Sequence, residues 1–510
     1  MTVARTWAVA LTGAEGALVE VEADQSSQLP GLHIIGLPDK SLGEAEQRVR
    51  GAAANSSLVL PRRRVTVNLS PASLPKQGAG FDVAIAVATL ATDGGLDLVS
   101  LARTVHVGEL GLDGRLRPVA GVLPAVVAAA RAGLTHAVVP HANQDEARLV
   151  SGITVIGAVT LGDVALWHGA NLEPSEVEPV PAAVVPPPRA MGGDLSEVIG
   201  QHEAVEALVA AAAGGHHMLM CGPPGAGKTM LASRLPGILP DLDDEAALEV
   251  SSIRSLSGIG VDGLVREAPF ESPHHSASVA ALVGGGSRVV RPGAIARATN
   301  GVLFLDEAAE FSASALDALR QPLESGAITI HRSGVRATFP ARFQLVMATN
   351  PCPCGNYGVP GGSCVCPPNQ VRRYLGKLSG PLLDRVDIEL GLRRVSVAQA
   401  TAATGHVPIS SAEAKERVLA ARARAALRLR GTPWSINARV SGPWLRQGPL
   451  AVSAEARRPL DAALHRGALT LRGYDRVLRV AWTLCDLVGG DSPTLHDVGR
   501  ALFMKRGVVA

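Results

Sequence analysis

The chain has 510 residues, 47% of them hydrophobic and 18% charged, and its 48 Lys+Arg against 46 Asp+Glu leave a formal net charge of +2. That length accommodates roughly two to four domains of ordinary size, and high apolar content with low net charge excludes an intrinsically disordered chain. No apolar run approaches the about 18 uninterrupted residues that span a bilayer. Glu15, Glu20 and Glu22 enter before a secretory h-region could be completed, so a cytoplasmic protein without a membrane partner is expected.

Residues 1–170 read as an N-terminal domain of mixed α and β structure. Short β-type runs at 17–21, 64–69 and 105–110 alternate with Ala-rich helical runs at 82–91 and 123–132. Asp113-Gly114, set between Glu109-Leu110 and Leu116, predicts a hairpin with a two-residue turn. A linker follows over residues 171–193, where Pro174, Pro179, Pro181 and Pro186 to Pro188 remove backbone donors and favour an extended spacer.

Residues 194–392 run strand, glycine-rich turn, helix and further buried strands, which predicts a P-loop α/β core with a parallel sheet covered on both faces. Met218-Leu219-Met220 leads into Gly222-Pro223-Pro224-Gly225-Ala226-Gly227-Lys228-Thr229, a fit to G-x-x-x-x-G-K-S/T in strand–loop–helix context. Glycines let backbone N–H groups close around phosphate oxygens, and the helix N-terminus adds partial positive charge. In this pattern Lys228 reaches the β- and γ-phosphates of ATP and Thr229 the Mg2+ ion. The apolar run 302–305 then delivers two adjacent carboxylates. Asp306 suits the Mg2+ sphere and Glu307 suits polarising a water, so hydrolysis is predicted as well as binding.

Two alternating runs over 328–339, broken at Ser333-Gly334, predict a hairpin with Arg332 and Arg336 near its tip. Such a tip is either an ordinary solvated turn or a contact with nucleic-acid phosphates. Cys352, Cys354, Cys364 and Cys366 form C-x-C, nine residues, C-x-C, either a tetrahedral Zn2+ site or four free thiols. Cys221 and Cys485 read as packed hydrophobes. Beyond residue 393 the β signal fades, and 413–430, 453–466 and 472–488 predict a helical C-terminal module over 393–510. From Gly391 onward there are 19 Lys+Arg and 8 Asp+Glu, against 29 and 38 in the remainder. The basic excess, including Lys415, Arg417, Arg422, Arg424, Arg428 and Arg430, is a footprint compatible with nucleic acid.

Three stretches carry a specific resemblance: PHHSASVAALVGGG, PGAIARATNGVLFLDEAAEF, and MATNPCPCGNYG followed by QVRRYLGKLSGPLLDRVD. They resemble the magnesium-chelatase-like AAA+ proteins of bacteria, specifically the YifB/ComM family, and the N-terminal GLPDKSLGEAEQRVRGAAANSS and RVTVNLSPASLPKQGAGFDVAIAVATLA resemble its Lon-protease-like domain. The resemblance implies that Asn350 is a sensor-1 residue, Arg385 an arginine finger acting on a neighbouring subunit, and Arg472 a sensor-2 arginine from a helical lid. It likewise places Arg332 and Arg336 on a pore hairpin. It further implies a homo-oligomeric, hexameric ATP-driven motor on branched or single-stranded DNA, with the ComM branch acting as a branch-migration helicase in recombination and natural transformation.

A Lon-type peptidase needs a Ser–Lys dyad, and here those positions read Gly80 and Pro124, which implies a non-catalytic N-terminal domain. Three other functions fit the same motifs: a metal-insertion motor subunit of the magnesium-chelatase type, a protein-remodelling ATPase, and a DNA-binding scaffold using nucleotide as an assembly switch. Glu307 argues against the last.

Overall fold

The computed structural model describes residues 3–36, 44–76, 78, 80–174, 176–182, 192–286, 290–332, 335–359, 362–395 and 408–505. In the first strand, Ala4–Thr12, alternate side chains from Ala4 to Ala10 are buried, the period-2 pattern of a strand with one face on a core. It pairs antiparallel with Glu15–Ser26 through a tight turn, Thr12 opposite Glu15. These strands sit inside a seven-stranded mixed sheet ordered Gly31–Ile35, Arg64–Ser70, Glu15–Ser26, Ala4–Thr12, Thr104–His106, His136–Pro140 and Thr154–Ala158. Helix Asp82–Ala91 is buried along its whole length, and Val122–Arg131 packs on the neighbouring apolar cluster with Val105 and Val139.

The predicted run 105–110 divides. Thr104–His106 joins the main sheet, while Glu109–Leu110 pairs with Leu116–Arg117 in a separate small hairpin. The turn around Asp113-Gly114 is therefore a five-residue loop rather than a two-residue one. It is closed by Gly111 N donating to Arg115 O and by Asp113 accepting from the Arg115 side chain at 2.7 Å. Among the described residues of the expected linker, none is helical or extended in a sheet until Asp194, and Pro186 to Pro188 lie outside the described residues.

The second sheet has five strands, all parallel, ordered Phe270–Glu271, Val302–Leu305, Gln344–Thr349, Met218–Cys221 and Ile388–Gly391. Three of them are buried at every position, which explains their continuous apolar sequences. The strand opening the P-loop, Met218–Cys221, lies between Gln344–Thr349 and Ile388–Gly391, so the P-loop and Asn350 emerge side by side at the carboxyl ends of neighbouring parallel strands. The hairpin Ala327–Arg332 and Val335–Pro340 forms as expected. Its returning strand docks on the N-terminal domain: Ala14 N donates to Thr338 O at 3.0 Å. Gly13 is required there, because its φ is +71° and a Cβ would fall 2.1 Å from Thr338 O.

The C-terminal module consists of helices Ser411–Arg428, Ala454–His465, Leu471–Val488 and Leu495–Met504, with shorter segments between. Ser410 and Glu413 form a capping box at the first of these. Val418, Val477 and Ala481 share one apolar core with Leu208, Met218 and Met220, so lid and ATPase sheet are packed as one unit.

Candidate nucleotide site

Helix Lys228–Ile238 begins immediately after Gly227, whose φ of +83° follows Gly225 at +76°. Two left-handed glycines turn the loop without a Cβ penalty and leave the helix's first N–H groups open. Lys228 Nζ donates to Gly222 O at 2.6 Å, Pro223 O at 3.0 Å and Asn350 Oδ1 at 3.0 Å. Burial draws the Lys228 ammonium below its usual range, against the pull of Asp306 and Glu307. The lysine thus already spans the P-loop and the end of the Asn350 strand.

Thr229 Oγ1 donates to Asp306 Oδ2 at 2.7 Å. A hydroxyl and a carboxylate are the hard oxygen donors Mg2+ prefers, and their spacing is within about 0.3 Å of the about 3.0 Å edge of an octahedron with 2.1 Å bonds. Glu307 is in a separate environment. Its φ is +52°, a left-handed backbone uncommon for a residue with a side chain, and His275 Nδ1 lies 3.0 Å from its carboxylate. Two adjacent carboxylates therefore face different partners: Asp306 meets the P-loop hydroxyl, and Glu307 is half-exposed under a histidine. This set could hold a triphosphate with a divalent cation and leave one carboxylate for a water.

Three residues escaped the sequence reading. His275 gave no sign that it would reach Glu307, although it stands in a resembling stretch. Gln201 Nε2 bridges Ala226 O at 3.4 Å and Arg393 O at 2.7 Å, and Arg394 Nε donates to Pro224 O at 2.9 Å. Both tie the P-loop to segments remote in sequence, and neither lies in a recognisable motif.

Arg385 pairs with Glu324 and donates to Pro381 O, rather than to the P-loop or the carboxylates. Arg472 stands exposed in the first turn of Leu471–Val488, and its side chain makes no hydrogen bond or ion pair with the described residues. Arg476 is structural: it donates to Asp384 O and pairs at 2.6 Å with Asp387, which is buried. Burial alone would raise the Asp387 carboxyl, but Arg476 and His216 overcome it and hold it far below the usual carboxylate range. His217, pushed down to about 4 by burial, accepts from Leu345 N at 3.0 Å as a neutral ring.

Five of the six basic residues singled out on and just after the first lid helix are tied to other parts of the fold. Lys415 pairs with Asp241 at 2.7 Å, Arg417 with Glu206 at 2.9 Å, and Arg428 with Asp486. Arg422 donates to Ala212 O and Arg424 to Asp486 O. Of the six basic residues expected as a nucleic-acid footprint, only Arg430 is without such a tie among the described residues and exposed. These five residues fasten helix Ser411–Arg428 to the ATPase core and to its neighbouring helix. On the hairpin, Arg336 is exposed, and the side chain of Arg332 lies outside the described residues.

The four cysteines converge. Cys352 Sγ is 3.3 Å from Cys354 Sγ and 3.7 Å from Cys364 Sγ, and all four sulfurs lie within 4.8 Å of one another. Amides of Asn356 and Val365 pull the Cys354 thiol down to about 6. Cys221 and Cys485 are buried, as expected of packed hydrophobes.

Comparison with known proteins matches residues 194–400 to the family model "Magnesium chelatase, subunit ChlI", residues 21–143 to "Subunit ChlI of Mg-chelatase" and residues 408–505 to the ChlI C-terminal region. The chain is 48% identical to an uncharacterized protein of Mycobacterium tuberculosis over 99% of each chain. It is 42% identical to competence protein ComM of Haemophilus influenzae over 96% of this chain and 94% of the relative. Escherichia coli YifB is likewise 42% identical, over 97% and 96%. A Lon protease of Salinispora arenicola is 30% identical over 33% of this chain and 23% of the protease.

Proposed function

Because the chain belongs to the YifB/ComM family of magnesium-chelatase-like AAA+ proteins, we propose that it is an ATP-hydrolysing ring motor that acts on DNA, a ComM-like branch-migration helicase. The observation that carries this is the division of labour at the strand end, where Thr229 holds Asp306 and Glu307 stands apart beside His275. ATP with Mg2+ is bound by Gly222 to Thr229. Thr229 and Asp306 take the cation, Glu307 activates the water, and Asn350 orients it.

Arg385 serves as the finger to the next subunit of a hexamer, which requires it to leave Glu324, and Arg472 closes on nucleotide from the lid. A finger supplied in trans is worth about 10³–10⁵ in turnover, so hydrolysis is tied to ring assembly. The cofactors extend to Zn2+ in the four-cysteine cluster. DNA passes along Arg332 and Arg336, a role supported by the exposed place of Arg336 on its hairpin and by the competence name of the Haemophilus relative. The N-terminal domain is not a peptidase: Gly80 and Pro124 offer neither nucleophile nor base, and the nearby Lys76 Nζ is spent on Pro71 O and Leu74 O.

The test is ATP turnover with single-stranded, duplex, forked and four-way DNA beside a Glu307→Gln control. Stimulation that is greatest with branched DNA and absent in the control is expected. Turnover indifferent to every DNA would move the assignment to protein remodelling, for which the docking of the pore hairpin on the N-terminal domain at Ala14 and Thr338 is the favouring contact. Within the same family, the magnesium-chelatase type of metal-insertion motor would instead be stimulated by a chelatase partner.

A further inference from the structure

The segment between Cys352 and Cys366 begins and ends on the nucleotide site. Cys352 is two residues beyond Asn350, whose Oδ1 accepts from Lys228 at 3.0 Å. In the middle, Gly355 sits with φ +79° against the P-loop, so close that a Cβ there would lie 2.4 Å from Pro224 Cδ. After Cys366 the chain enters helix Pro368–Leu375, which packs on the turn Ala308–Glu310 directly following Glu307. The loop therefore touches the P-loop and the Asn350 strand end, and the helix it leads into packs on the turn that follows the carboxylates.

Among the described residues of the loop, Tyr357 and Val365 are exposed at 53% and 82%, and the four sulfurs gather at its centre. Four thiolates around Zn2+ at Zn–S distances of 2.3 Å have S···S edges of about 3.8 Å, and the closest pairs here are 3.3, 3.7 and 3.7 Å. Backbone amides already point at the sulfurs: Tyr357 N lies 3.3 Å from Cys352 Sγ, and Asn356 and Val365 donate to Cys354. Such N–H donors stabilise thiolate charge around a bound metal.

We propose that Cys352, Cys354, Cys364 and Cys366 hold one Zn2+ tetrahedrally, and that this ion braces the catalytic machinery by pinning the Asn350 and Glu307 turns against the P-loop. The ion is structural, with all four positions taken by protein and none open to substrate. Binding displaces the thiol protons and changes no oxidation state. The brace rests on the ATPase reading above, but the metal site does not.

Protein purified without chelator is expected to carry one zinc per chain by elemental analysis, and Co2+ exchanged into it should give the thiolate charge-transfer and tetrahedral ligand-field bands. Cys364→Ser with Cys366→Ser should lose the metal, and Cys485→Ser should keep it. Stripping zinc from the wild-type chain with a chelator should lower the maximal ATP turnover about 10- to 100-fold, while fluorescent-nucleotide affinity moves less than about 3-fold, and zinc should restore it. This separation covers the case in which the double variant fails to fold. Metal-free purified protein with no cobalt spectrum overturns the site, and a zinc-stripped enzyme of unchanged turnover overturns the brace. Zinc-loaded protein with no hydrolysis at all would instead refute the ATPase reading, leaving the metal count intact.

Discussion

The two sheets of this chain present the same local device with opposite outcomes. In the ATPase core, left-handed Gly225 and Gly227 open a helix whose first residue is Lys228, and in the function proposed above its N-terminus faces the nucleotide phosphates. In the N-terminal domain, left-handed Gly78 precedes a helix whose first residue, Asp82, is itself acidic and is tied into the fold. Asp82 is fully buried, accepts from Arg48 Nε at 2.6 Å and Nη2 at 3.0 Å, and also accepts from Leu110 N. Burial drives its carboxyl up to about 6 against the opposing pull of Arg48. The residue that opens the first helix, Lys228, reaches back over the P-loop, whereas the one that opens the second, Asp82, is tied to Arg48 and Leu110 inside its own domain.

Substitutions that separate binding from folding sharpen the contrast. Glu307→Gln should cost about 10²–10⁴-fold in steady-state phosphate release with little change in melting temperature. In the N-terminal domain, Arg48→Ala should leave a buried carboxylate unpaired and cost about 3–5 kcal/mol in denaturant unfolding of that domain. The Asp387–Arg476 pair under the lid is the same kind of folding element, and Asp387→Asn should cost a similar amount at neutral pH. Because the folded Asp387 carboxyl is held low, its contribution is fully present above about pH 4 and is lost as pH falls further. The gap between Asp387→Asn and wild type should therefore shrink in acid; a gap that widens there would contradict the assignment.

Gly13→Val, which forces a Cβ into Thr338 O, should loosen the joint between the two regions by about 1–3 kcal/mol without removing nucleotide binding. The smallest effect is expected in the lid. Arg430→Ala should stay within about 0.5 kcal/mol. Arg428→Ala should be clearly worse, since Arg428 meets buried Asp486 and Asn437 and lies over the Trp482 ring.

The core was legible because its signals are local. Continuous apolar runs mark buried parallel strands, and the P-loop's chemistry is confined to eight consecutive residues, Gly222 to Thr229. Helices Asp82–Ala91 and Leu471–Val488 were found within a residue from composition and periodicity. The contacts that were not legible are long-range. The tie of Gln201 to Arg393 and that of His275 to Glu307 depend on how strands align, which no single segment encodes.

The partners of the lid's basic residues were not legible for a related reason. Net charge reports how many arginines a segment carries, but not that Glu206, Asp241 and Asp486 wait across the fold for them. The turn at Asp113-Gly114 shows the limit of a dipeptide signal, since the ladder closes at Leu110 and Leu116 and leaves five residues between.

Whether hydrolysis at Lys228, Asp306 and Glu307 drives movement on DNA is decided by branch migration of a synthetic four-way junction. Wild-type protein with ATP and Mg2+ should convert the junction to its two duplex products, while Glu307→Gln should bind ATP and leave the junction intact. A junction left intact by wild-type protein that is turning over ATP, or one resolved equally well by Glu307→Gln, would show that hydrolysis does not drive that movement.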